Sequence, residues 1–253
     1  MELFKNIFDA MEDKNPKDEF GNTPLHKTAS YYNSFHSEIC QFIVANIKDK
    51  NPKDFIGRAP LHIAAMHGHF DTCQLLIENV DDKNPQDDSG RTPLHLVAED
   101  GNYKVCQLIL KNVTFLKSDD TSEKTKKWSK LDISRIKNPA NEDGRTPLHM
   151  AAENGHIGVY SLICENANHK NPPDLERVTP LHLAAKKGLL LMCRSILTYV
   201  PEEKSSLDEN GKTPCDLAKE HGHCRLVKFF ETGEIANKRK FNVQCNRPVK
   251  RSK

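Results

Sequence analysis

Two apolar patterns alternate along this chain, and the segment 93–112 shows both. The second of them, YKVCQLILKN, sets Val105, Cys106, Leu108, Ile109 and Leu110 mainly toward one side. Apolar positions three and four residues apart predict an amphipathic helix there. The first, PLHLVAED, is short, and its punctuation marks it as a helix too. Thr92 suits the N-cap, Pro93 suits the first helical position, and Gly101 suits the residue just past the end. Ahead of the pair stands DDSGR, where Asp can bond back to the backbone and Gly can take positive φ, so a tight turn is expected.

The unit returns. KNP begins at residues 14, 50, 83, 137 and 170, in steps of 36, 33, 54 and 33. TPLH or APLH follows each copy, at Thr23–His26, Ala59–His62, Thr92–His95, Thr146–His149 and Thr179–His182, and a sixth copy has drifted to TPCD at Thr213–Asp216. Two departures break the 33-residue period: three extra residues in the first copy, and 21 (54 minus 33) between the third and fourth, within 114–136, where other copies have about two residues. Ala64–Ala65, Ala151–Ala152 and Ala184–Ala185 keep the first helix thin, so neighbouring copies can approach closely. One copy buries too little by itself, and stability has to come from stacking.

A 33-residue period carrying TPLHxAA, a G-H turn at Gly68-His69 and Gly155-His156, and a D-x-x-G turn resembles the ankyrin repeat. The resemblance covers roughly residues 2–232. It implies an all-α fold with short β-hairpins, an ankyrin-repeat solenoid of stacked antiparallel helix pairs with projecting fingers. It also implies a structural, hydrogen-bonding role for His26, His62, His95, His149 and His182. By the same alignment residues 1–13 form an N-terminal half repeat or cap helix, with Phe4 where Cys73 sits, Ile7 at Leu76, Phe8 at Ile77 and Met11 at Val80. Residues 14–232 form the repeat domain of six copies with its insertion at 114–136, and 233–253 form a basic, disordered tail.

Composition narrows the function. Lys+Arg 37 against Asp+Glu 35 leaves a net charge of +2, which creates no global field for nucleic acid or an anionic membrane. No window is apolar for long enough to insert into a membrane, and MELFKNIFDAMEDKN lacks the pattern of a secretory leader. Eight cysteines spread through such a chain read as reduced thiols of the cytosol or nucleus. Cys40, Cys73, Cys106 and Cys193 recur at one register, where a small apolar residue belongs. HGHC at His221–Cys224 lacks a second ligand pair at zinc-finger spacing, and its Gly-His belongs to the repeated turn. No phosphate loop, dinucleotide fingerprint or hydrolase motif is present, so no cofactor, metal or catalytic residue is expected.

What remains is a non-catalytic scaffold or adaptor, expected to be monomeric, that binds a protein partner along the concave groove of the stack. Candidate contacts are the apolar fingertips Phe20, Phe55, Ile56 and Leu175, and the variable first-helix positions Met66, His67, Glu99, Asp100, Glu153, Asn154, Lys186 and Lys187. Trp128, the only tryptophan, is a candidate anchor within the insertion. Arg177 replaces the turn glycine, so its finger is expected to bend differently. The tail carries Lys238, Arg239, Lys250, Arg251 and Lys253, a pattern resembling a bipartite nuclear import signal that also allows nonspecific contact with nucleic acid. The location is therefore cytoplasmic or nuclear. Alternative readings are a nuclear regulator of the transcription-factor-inhibitor type, or the repeat fragment of a larger protein. The recurring DKNP reads as punctuation between copies.

Overall fold

The computed structural model describes residues 2–31, 34–113 and 137–233, the side chains of residues 34–36 excepted. Among them are thirteen α-helices. Helix α1 (Glu2–Ala10) is followed by six pairs: α2 (Pro24–Ala29) with α3 (Ser34–Asn46), α4 (Pro60–Met66) with α5 (Phe70–Asn79), and α6 (Pro93–Asp100) with α7 (Tyr103–Asn112). The series continues with α8 (Pro147–Glu153) and α9 (Ile157–Cys164), α10 (Pro180–Lys186) and α11 (Leu190–Tyr199), then α12 (Pro214–Glu220) and α13 (Cys224–Thr232). A 3-10 turn at Pro201–Ser205 precedes the last pair. First helices pack on first helices, and second helices on second helices, so two layers run the length of the stack.

Each first helix begins the same way. An extended N-cap residue is followed by Pro at the first helical position, and the histidine three residues after the cap folds back over it. At the third copy His95 Nδ1 accepts the Thr92 N–H at 3.0 Å, which leaves the ring proton on Nε2; that proton goes to the Arg145 carbonyl of the next copy, 3.0 Å away. One side chain thus closes its own helix start and ties two copies together. Asp216 takes over the first half of this task in the last copy, accepting the Thr213 N–H at 3.1 Å and its hydroxyl at 2.6 Å.

The core follows the layers. Leu25, Leu61, Leu94, Leu148 and Leu181 are buried, as are the paired alanines and the repeating cysteines. Helix α1 stands in the second-helix layer, where Phe4 and Phe8 meet Phe42 of α3. Phe8 is buried, but Ile7, aligned with buried Leu76, is 56% exposed, and among the described residues no helix pair lies on that side of α1. The insertion leaves the stack continuous: α6 packs on α8 and α7 on α9 directly. The insertion itself, Trp128 included, and the basic tail lie outside the described residues.

The fingers differ from the expected hairpins, since no strand occurs among the described residues. Each finger closes with one backbone pair, such as Asp54 N–H to the Arg58 carbonyl at 2.9 Å, and Asp54 Oδ1 accepts the Arg58 N–H at 2.8 Å. The next rung would pair residues 52 and 60. Both are proline, as are 16 and 24, 85 and 93, 139 and 147, and 172 and 180, so the ladder has no donors with which to continue. The fingers are zipped sideways instead. Phe55 N–H bonds the Phe20 carbonyl at 3.1 Å, Asp88 the Ile56 carbonyl at 3.1 Å, and Glu142 the Ser89 carbonyl at 3.1 Å. Gly21 and Gly57 permit that approach: a Cβ on either would come within 2.6 Å of the next finger's backbone nitrogen.

Two further expectations are corrected. The fifth finger keeps the common geometry, with Asp174 N–H on the Val178 carbonyl at 2.9 Å, and Arg177 is forced into the left-handed region at φ 59°. That conformation costs a non-glycine residue about 1–2 kcal/mol. Glycine's additional chain entropy offsets part of any gain, so Arg177→Gly is expected to stabilise the protein by about 0.5–1 kcal/mol in urea unfolding. A loss of stability would mean that the arginine side chain is itself engaged. DKNP, for its part, is more than punctuation. Asn84, Asn138 and Asn171 offer Oδ1 to the N–H of Leu94, Leu148 and Leu181, at 3.4, 3.3 and 2.9 Å, acting as distant caps for donors at the first-helix start. Asn15 and Asn51 donate across copies to the Asp49 and Asp82 carbonyls, at 2.9 and 3.1 Å.

Candidate interaction surface

The variable positions proposed from sequence all lie at the C-terminal ends of the first helices. Met66 and His67, Glu99 and Asp100, Glu153 and Asn154, and Lys186 and Lys187 occupy equivalent places in successive copies. They are held from beneath by the start of the second helix. His69 Nδ1–H donates to the Ala29 carbonyl at 3.0 Å, His156 Nε2–H to Glu99 at 3.0 Å, and His223 Nε2–H to Lys186 at 2.9 Å. Asn102 Nδ2–H reaches a different carbonyl of the preceding copy, that of the turn residue Gly68, at 3.4 Å. Each of these polar turn residues satisfies a carbonyl that a helix end would otherwise leave unpaired. The floor is therefore fixed in place.

Its charges are not alike. Glu153 is half-buried and sits 3.8 Å from Arg145 Nη1 and 3.6 Å from Lys187 Nζ, while Arg145 Nε also lies 3.4 Å from Asp174 of the next finger. In this chain of four groups the two cations and the two carboxylates balance one another. In register, neutral Asn154 occupies the position after Glu99 that Lys187 occupies after Glu153. Glu99 and Asp100 are exposed, and neither has an ion-pair partner among the described residues. Glu153 and Lys187 are thus occupied with each other, whereas Glu99 and Asp100 keep their charge for solvent or a ligand. Lys186 is exposed and likewise makes no ion pair among the described residues.

The fingertips form the second line. Phe20 and Phe55 are each 64% exposed, Ile56 52% and Leu175 74%, so neighbouring fingers do not cover them. Between them lie exposed acids that were not singled out from sequence: Asp88, Glu142 and Asp143, at the tips of the third and fourth fingers. Reading the two residues before each turn glycine in register would have found them. Arg58 and Arg91 are drawn inward onto the buried carboxylates of Asp54 and Asp87, at 2.8 and 3.2 Å.

Titratable groups elsewhere are committed to structure. Burial pushes His62, His95 and His149 down to about 4, and lowers His26 and His182. Burial pushes the thiols of Cys73, Cys106 and Cys193 up to about 12, far from the thiolate a nucleophile needs. His221 Nδ1 bonds the Leu217 carbonyl at 3.0 Å and its ring stacks on His223, so neither ring is aimed at a common point. Among the described residues no helix is long and apolar enough to cross a membrane.

A family model described as ankyrin repeats, in three copies, matches overlapping windows of the chain at 1–87, 32–122, 79–174 and 123–204. Among curated proteins, none matches. The matched windows contain the fingers and first-helix ends just described, through the fifth copy.

Proposed function

Because the chain belongs to the ankyrin-repeat family, whose repeats are generally protein–protein interaction modules, we propose that it is a non-catalytic scaffold or adaptor. It grips a protein partner along the face made by the first-helix ends and the fingers. The observation that carries this reading is the coincidence, on consecutive copies, of exposed large apolar tips and floor carboxylates with no internal partner. Apolar side chains held in solvent by a rigid frame lower the ordering cost of an encounter, and unpaired charges set its polarity.

The test is affinity capture followed by mass spectrometry with three proteins: the full chain, Glu99→Lys/Asp100→Lys, and the chain lacking 114–136. A partner held by the wild type is expected to be lost from the charge-reversed variant. Glu153→Lys is a poorer probe, since it breaks the pair with Arg145 and Lys187 before it touches any ligand. Equal recovery by wild type and the double reversal would remove the floor from the interface. Loss on deletion of 114–136 would add the insertion to it.

A further inference from the structure

We infer that the tips of the first two fingers anchor an extended, basic segment of a partner protein, which continues along the acidic tips of the third and fourth fingers. The inference rests on the interaction reading above and gives its ligand a chemistry and a direction.

The apolar part is a ledge. Phe20, Phe55 and Ile56 are adjacent through the bond from Phe55 N–H to the Phe20 carbonyl, and a Cβ on Gly21 would meet the Phe55 ring carbon Cδ1 at 2.7 Å. The Phe55 ring therefore lies over the turn of finger one. Three large apolar side chains left in contact with water on adjacent turns form an exposed apolar patch, which is the mark of a docking surface. Backbone bonds then lead onward, from the Ile56 carbonyl to Asp88 N–H and from the Ser89 carbonyl to Glu142 N–H.

Charge along this edge selects the occupant. Asp88, Glu142 and Asp143 are exposed and have no ion-pair partner among the described residues, and Glu99 and Asp100 add two carboxylates on the floor of the third copy. The nearby cations are spent: Arg91 is on Asp87, and Arg145 is shared by Asp174 and Glu153. Fingers one and two carry Lys17 and Lys53 at the position before the finger aspartate, where fingers three and four have Gln86 and Ala140. Anionic surfaces are repelled from such an edge, and a second copy docked by the same face would set carboxylate against carboxylate. A lysine- or arginine-rich segment is complementary.

Spacing gives the pattern. Packed helices lie about 8–10 Å apart, and an extended chain rises about 3.3 Å per residue, so one finger corresponds to about three residues of ligand. The segment should carry two large apolar residues about three apart, then Lys or Arg at about three-residue intervals.

The experiment uses the full chain and fluorescein-labelled synthetic peptides with that pattern, written in both chain directions, and follows anisotropy at low and physiological salt. At least one direction is expected to bind. Affinity should fall about tenfold or more with Glu in place of the peptide's basic residues, with Phe20→Ala/Phe55→Ala, and with Asp88→Lys/Glu142→Lys. All four sites are exposed, so circular dichroism should stay unchanged and separate lost binding from lost fold. Equal binding of basic and acidic peptides, or indifference to the tip variants, would overturn the assignment. So would tip-dependent self-association in sedimentation, which would give the ledge to a second copy. Binding that emerges only when residues 234–253 are removed would give it to the chain's own basic tail. If a captured partner still needs Glu99 and Asp100 while the tip variants retain it, the interaction face stands and the ledge fails.

Discussion

Between pH 7.5 and pH 5.5 the protein is expected to lose about 4 kcal/mol of folding stability, through histidines buried at the starts of the first helices. His62, His95 and His149 are held at about 4 by burial, against an ordinary value of 6.5. A base whose folded value is lowered takes up its proton in the unfolded chain first. Its contribution is complete above pH 6.5 and is lost as the pH falls from there toward 4. At pH 5.5 each such residue favours the unfolded state by about 1.4 kcal/mol, and three give about 4, with His26 and His182 acting in the same direction. Carboxylates ordinarily near 3.8, such as Asp54 and Asp216, titrate below this window, so it isolates the histidines. Against a total stability of about 5–15 kcal/mol, a loss of this size should be plain in urea midpoints at the two pH values. His95→Gln should lower stability at pH 7.5 and shrink the difference between the two pH values by about a third. An unchanged midpoint would show that the imidazoles are not buried as described.

Four TPLH copies and one APLH announced a structural histidine, but not its partner. In the third copy the partner is the carbonyl of Arg145, which follows the histidine by 50 residues because the insertion intervenes. Helix bounds were legible almost to the residue where Thr-Pro and Gly mark both ends, as in Pro93–Asp100. The short hairpins expected for the fingers are not shown among the described residues, and the chain carries the reason, since proline occupies both positions of the next rung. The role of Asn84 was not legible, for its acceptor oxygen acts ten residues away, on Leu94. Among site residues, Phe20, Phe55, Ile56 and Leu175 are as exposed as their type in a turn implied. Glu153 was grouped with Glu99 and Asp100 by charge alone, and only the copy-to-copy offset shows Lys187 beside it.

The largest single-residue effect is expected at Tyr160, and it should be reversible by a second substitution. Tyr160 is fully buried at the register that Cys40, Cys73, Cys106 and Cys193 fill in other copies. One turn later the order is inverted: Cys164 stands where Val44, Ile77, Leu110 and Leu197 stand. The fourth copy has exchanged a small–large pair for a large–small one. The exchange brings one new bond, from the Tyr160 hydroxyl to the Lys170 carbonyl at the entry to the next copy. Burial in this position holds the phenol well above its ordinary titration range. Tyr160→Cys restores the residue of the other copies, yet it should cost about 3–5 kcal/mol, because the cavity it leaves cannot close in a close-packed interior. Cys164→Leu alone overfills the same space and should cost about 1–3 kcal/mol. Made together they recreate the small–large order, and the double variant should be more stable than the sum of the two losses by about 2 kcal/mol or more. Tyr160→Phe separates the two contributions, since it keeps the ring and removes only the bond, at about 1–2 kcal/mol. Urea unfolding of the four variants closes the cycle. Simple additivity of Tyr160→Cys and Cys164→Leu would mean that the two side chains do not share one space.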